Sequence, residues 1–107
     1  MSLELLAKQK PEVIQALYRM KAEVFRSGAL TTKVKELIAV AISCLLKCET
    51  CLETHAQAAI NAGATKEELQ EAMIVAMYLT GPSAIIWTNK IDEILKFSNA
   101  LSERTTS

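Results

Sequence analysis

Residues 31–63 read TTKVKELIAVAISCLLKCETCLETHAQAAINAG, and this stretch decides the fold. Thr31 and Thr32 offer N-cap oxygens for a helix of about Lys33 to Leu46. After Glu36 that helix is apolar almost all round, as expected of a central or interface helix. A second helix is expected from about Glu49 to Asn61, ending at Ala62-Gly63.

Outward from this pair, the remaining signals are also helical. Pro11 suits the first turn of a helix running to about Arg26, with Gly28 as its stop. Val13, Leu17, Met20 and Val24 give it one apolar face. Residues 2–9 form a short helical lead-in. Thr65, followed three residues later by Glu68, is a capping box opening a helix to about Leu79. Gly81-Pro82 breaks the chain, and a last helix runs from about Pro82 to about Leu101. The tail Ser102 to Ser107 is polar. No stretch alternates with period two, and hairpin signals such as Asn-Gly are absent. The expected fold is all-α: one domain over residues 1–107, a compact bundle of about five to six helices.

Composition agrees with that reading. Half of the 107 residues are apolar, yet only Tyr18, Phe25, Tyr78, Trp87 and Phe97 are aromatic. Leu, Ile, Val, Ala and Met must fill the interior, which favours packed helices over a sandwich or barrel. Lys plus Arg and Asp plus Glu number twelve each. No basic cluster is dense enough for a nucleic-acid footprint. The run Leu37 to Leu46 is too short to span a bilayer, and Met1-Ser2-Leu3-Glu4 lacks the features of a signal peptide. The expected location is the cytoplasm, where cysteines rest as thiols and a close pair points to catalysis, redox work or metal. Met73, Ile74, Val75, Met77 and Leu79 make a second helix apolar on more than one side. Two such helices exceed what a chain of this length buries alone, so a homo-oligomer is expected.

The chemistry lies in Cys48-Glu49-Thr50-Cys51-Leu52-Glu53-Thr54-His55. Cys-x-x-Cys places two sulfurs one helical turn apart, close enough for a disulfide at a helix start. Amides at a helix N-terminus favour thiolate there, which points to Cys48. His55 lies four residues beyond Cys51 on the same face, where an imidazole can take the thiol proton or pass it to a leaving group. That closeness points to Cys51 instead. Glu36, near the start of the preceding helix, reaches the His55 end of the next one if the two pack antiparallel. It is then a supporting proton acceptor; otherwise it is a first-turn glutamate favoured by the helix dipole.

The same residues allow other readings. The three cysteines and His55 can be buried small side chains and a satisfied core histidine. Zinc held by Cys44, Cys48, Cys51 and His55 is opposed by geometry. On one continuous helix, residues 44 and 55 stand roughly 16 Å apart along the axis. Covalent haem needs His directly after the second cysteine, where Leu52 stands. Cys44 reads as a buried small hydrophobe. No cofactor and no metal are required.

From about Leu30 to Trp87 the sequence resembles the alkylhydroperoxidase D-like branch of the carboxymuconolactone decarboxylase superfamily. Leu30-Thr31 leads to Lys35-Glu36-Leu37-Ile38, then to Cys48-x-x-Cys51-x-x-x-His55. Ala58, Gly63-Ala64-Thr65, Glu67, Glu68, Glu71, Ala72 and Gly81-Pro82 follow. The resemblance implies an all-helical protein assembling as a trimer or hexamer. It implies a peroxidase or disulfide oxidoreductase in which Cys51 attacks and Cys48 resolves to a disulfide. His55, with water and Glu36, relays the proton. The implied partners are a hydroperoxide or disulfide substrate and a dithiol reductant protein or small thiol. Thr50 stands where better-characterised peroxidases of this branch carry a second histidine, which implies weaker peroxide turnover. Alternatives are a structural or metal-stabilised interaction module and a carboxymuconolactone decarboxylase-like lyase.

Overall fold

A computed structural model describes residues 3–80 and 92–96 of the chain. The element order is α1 (Leu3–Gln9), α2 (Pro11–Phe25), α3 (Thr32–Leu46), α4 (Glu49–Asn61) and α5 (Lys66–Thr80). Residues 92–96 are also helical, and no strand occurs among the described residues. The expected all-α class is therefore observed. Most of the last expected helix, the Gly81-Pro82 break and the polar tail lie outside the described residues.

The caps follow the local chemistry. The Thr31 hydroxyl accepts from the Val34 N–H at 3.2 Å and opens α3. The capping box is reciprocal: Glu68 N–H donates to Thr65 Oγ1 at 3.1 Å, and Thr65 N–H donates to Glu68 Oε1 at 2.9 Å. Gly63 closes α4 with φ +99°, a conformation that favours glycine. The other expected stop differs. Gly28 is not left-handed; α2 ends at Phe25, and Arg26 leaves in an extended conformation.

The turn between α3 and α4 is only two residues long and carries an unanticipated feature. Lys47 adopts φ 54°, ψ 38°, the left-handed region, without being glycine. Its N–H points back to the Cys44 and Ser43 carbonyls, and Cys48 N–H reaches the Ser43 carbonyl at 3.1 Å. These are the bonds of a Schellman-type ending, which satisfies carbonyls that a helix end otherwise leaves unpaired. The chain reverses within two residues, so α4 runs back along α3.

The core sits between α3, α4 and α5. Val40, Cys44, Leu52, Ala56, Ala59, Leu69, Met73 and Ala76 are its buried members, with Ile94 and Leu95 packed against them. The alanines of α4 let the helices approach closely, and Leu52, Leu69 and Met73 supply the volume. α1 buries no residue, and α2 buries only Ile14. The expected apolar face of α2, Val13, Leu17, Met20 and Val24, is exposed in the protomer.

Candidate active site

The site is built on the α3–α4 hairpin. Cys48 is the N-cap residue of α4, and its sulfur accepts from the Cys51 N–H at 3.3 Å. Cys48 and Cys51 are joined by a disulfide, with their Cα atoms 5.2 Å apart. The pairing expected from the Cys-x-x-Cys spacing is thus present. Both residues are half-buried. Thr50 is exposed, with its hydroxyl 3.6 Å from the Cys48 sulfur. A disulfide sulfur has no proton, so the hydroxyl is the donor in this contact.

His55 stands one turn beyond Cys51 on α4. Side chains on a helix lean toward its N-terminus, so the imidazole inclines toward the turn that holds Cys51. Its Nδ1 lies 2.7 Å from Glu36 Oε2. The Glu36 side chain is 5% exposed and that of His55 21%. An ionised carboxylate can only accept, so Nδ1 carries the proton in this bond. Nε2 is then the nitrogen left to exchange a proton with a thiol or a leaving group. Glu36 lies beyond the first turn of α3, so it is not the dipole-favoured first-turn glutamate that its position in sequence allowed. The antiparallel hairpin brings it to His55.

Phe25 completes the surroundings of the imidazole. Its ring stacks on His55 with centroids 5.3 Å apart and planes inclined by 29°. Beside this pair opens a cavity of about 510 Å³, walled by Leu17, Met20, Val24 and Phe25 of α2 and by Thr54 and His55 of α4. Nothing in the local sequence marks Phe25, because its contact with His55 exists only through the α2–α3 connection.

Cys44 takes no part in this arrangement. It is 2% exposed among the core side chains, and burial pushes its thiol pKa up. Among the described residues, no group of three or more His, Cys, Asp and Glu side chains is placed to hold a metal ion. No helix among them is long and apolar enough to cross a membrane.

Comparison with known proteins places these features in a family. The carboxymuconolactone decarboxylase family model matches residues 11–104. A Paracoccus denitrificans protein, uncharacterised protein 4 of the cox locus, is 37% identical over 83 residues, covering 74% of this chain and 75% of the relative. A solved family protein from Legionella pneumophila superposes with a TM-score of 0.81 at 30% identity, covering 88% of this chain and 84% of that one. A Thermotoga maritima family protein, for which a role in the antioxidative response has been suggested, gives 0.77 at 25% identity over 85% of this chain and 94% of its own. The alkylhydroperoxidase D-like resemblance of the motif is consistent with these matches, and the chain belongs to the carboxymuconolactone decarboxylase family.

Proposed function

We propose that the protein is a thiol-dependent antioxidant peroxidase that cycles through the Cys48–Cys51 disulfide. One observation carries the reading: a Cys48–Cys51 disulfide at the start of α4 stands one turn from a histidine bonded to a buried glutamate. In the reduced protein, His55 takes the Cys51 proton through Nε2, and Glu36 stabilises the resulting imidazolium through Nδ1. The Cys51 thiolate attacks the terminal oxygen of a hydroperoxide. The O–O bond breaks, Cys51 becomes a sulfenic acid, and the departing alkoxide takes a proton from His55. The Cys48 thiol then passes its proton to His55 and attacks the Cys51 sulfur; the S–O bond breaks, the departing hydroxide takes that proton back from His55, and the disulfide and water result. A dithiol protein or two small thiols return the disulfide to thiols by exchange, and are themselves oxidised. The same exchange makes protein disulfides an alternative oxidised substrate.

The helix N-terminus favours thiolate at Cys48, and the His55 turn favours it at Cys51. We assign attack to Cys51, because general-base assistance depends on closeness. Thr50 offers a hydroxyl where a second imidazole stands in stronger peroxidases of this branch, which fits modest turnover.

The reading includes a homo-oligomer, trimeric or hexameric. α3 leaves Ile38, Ile42 and Leu46 exposed at four-residue spacing, and α5 leaves Ile74, Val75, Tyr78 and Leu79 exposed, Tyr78 to 85%. Apolar stripes on two neighbouring helices are the surface that a copy of the chain would cover.

The test is hydroperoxide consumption by the purified full chain with a dithiol reductant. Turnover in the wild type, and its loss in Cys51→Ser, are expected. Consumption that persists in Cys51→Ser overturns the assignment.

A further inference from the structure

We infer that Phe25 is a positioning residue for His55, held over the imidazole by a latch from the start of α3. A single hydrogen bond at Nδ1 fixes one point of the ring. It leaves the imidazole free to swing about that contact, because χ2 of histidine is broad. The Phe25 ring, stacked at 5.3 Å, covers the face through which such a swing must pass. Aromatic pairs at this separation attract beyond simple area burial, and more so when one ring is a cation.

Phe25 can do this only if the end of α2 is itself fixed, and α2 makes little core of its own. The fixing bonds come from α3. Thr32 Oγ1 donates to the Phe25 carbonyl at 2.7 Å. Thr32 N–H donates to Ser27 Oγ at 3.0 Å, and Lys35 Nζ donates to the Arg26 carbonyl at 2.7 Å. Three consecutive residues at the exit of α2 are thus tied to the first turn of α3. Four residues beyond Thr32, the same helix carries Glu36. One helix therefore supplies both restraints on His55: the carboxylate in the plane of the ring, and the aromatic face above it. The contact of the Phe25 ring is with His55, so the effect assigned to it on the cysteines runs through the imidazole.

The consequence at Cys51 rests on the relay proposed above, but the positioning itself does not. His55 is the only histidine of the chain, so its ring signals are unambiguous. The experiment is nitrogen-15 NMR of the reduced full chain, reading the His55 tautomer and the exchange of its Nδ1 proton with water. Cys51 alkylation by iodoacetamide is measured in parallel. Wild type is expected to show one tautomer, protonated at Nδ1, with slow exchange. In Phe25→Ala, exchange is expected to be at least tenfold faster, and alkylation slower by about tenfold, as for a modest misplacement of a reacting group. Thr32→Val, which keeps shape but loses the hydroxyl, is expected to move both in the same direction by less. Phe25→Tyr, which keeps the ring, is expected to restore both. Thr32→Val also serves if Phe25→Ala does not fold. Unchanged tautomer and exchange in Phe25→Ala, or in Thr32→Val in that event, overturn the proposal. Faster exchange with unchanged alkylation upholds the positioning role and counts against the relay instead.

Discussion

Nδ1 of His55 lies 2.7 Å from Oε2 of Glu36, two side chains separated by nineteen positions in sequence and brought together by one helical hairpin. The carboxylate is nearly buried, and among the described residues no buried side-chain nitrogen or oxygen lacks a partner. Glu36→Gln keeps the shape and an acceptor oxygen but cannot stabilise an imidazolium. It is expected to slow Cys51 oxidation and alkylation by about a hundredfold, the low end of what a positioned acid–base group contributes. Stopped-flow oxidation with near-wild-type rates in Glu36→Gln would count against the relay.

The two cysteines are expected to behave differently when replaced singly. Cys48→Ser still reacts once with hydroperoxide, and the Cys51 sulfenic acid accumulates, to be trapped by dimedone and located by mass spectrometry. Cys51→Ser neither consumes peroxide nor forms the adduct. Cys44 remains unalkylated in the folded, reduced protein, because it is buried and its thiol pKa is raised. A dimedone adduct on Cys48 in Cys51→Ser would reverse the assignment of attacking and resolving thiols.

Lys47 and Gly63 make a matched pair of backbone tests. Lys47 holds a left-handed conformation that glycine adopts without cost, so Lys47→Gly is expected to stabilise the fold by about 1 kcal/mol. Gly63→Ala is expected to destabilise by about 1 kcal/mol. Nothing lies within 4 Å of the added methyl, so that loss is one of backbone strain alone. Chemical denaturation at constant pH measures both.

The α3–α5 contact carries a pH dependence. Its Thr65 backbone bond, followed by Lys33, lowers the Glu68 pKa below the usual carboxylate value. A carboxylate with a depressed folded pKa contributes stability above its unfolded value, about pH 4.3 for glutamate, and loses it as pH falls through the folded value. Glu68→Gln is therefore expected to melt below wild type at pH 7, with the difference shrinking in acid below pH 4. Melting curves at several pH values and low salt measure this. A gap that widens on acidification would contradict it.

Much of this was legible in the sequence because it is local. The Thr65–Glu68 box, the Thr31 cap, the glycine at position 63 and the Cys48–Cys51 spacing each depend on a few neighbouring residues, and each appears as expected. Glu36 was legible as a candidate, but its role turned on the direction of α4. A left-handed lysine sets that direction, and no propensity rule singles out Lys47 for it. Phe25 was not legible at all. It reaches His55 through bonds from Thr32 and Lys35 to backbone carbonyls, and such bonds leave no trace in residue spacing. The face of α2 shows a third kind of limit. Periodicity identified Val13, Leu17, Met20 and Val24 as apolar on one side, but not that the protomer leaves that side uncovered.

The proposed chemistry requires Cys48 and Cys51 to be a working redox couple. The direct measurement is their midpoint potential, by mass-resolved thiol trapping of the full chain across a dithiothreitol redox series, with hydroperoxide consumption followed in parallel. One two-electron transition between dithiol and Cys48–Cys51 disulfide is expected near the cytosolic poise, with peroxide driving the reduced form to the disulfide. A protein that forms no disulfide at any poise, or whose thiols ignore hydroperoxide and disulfide substrates alike, would contradict it.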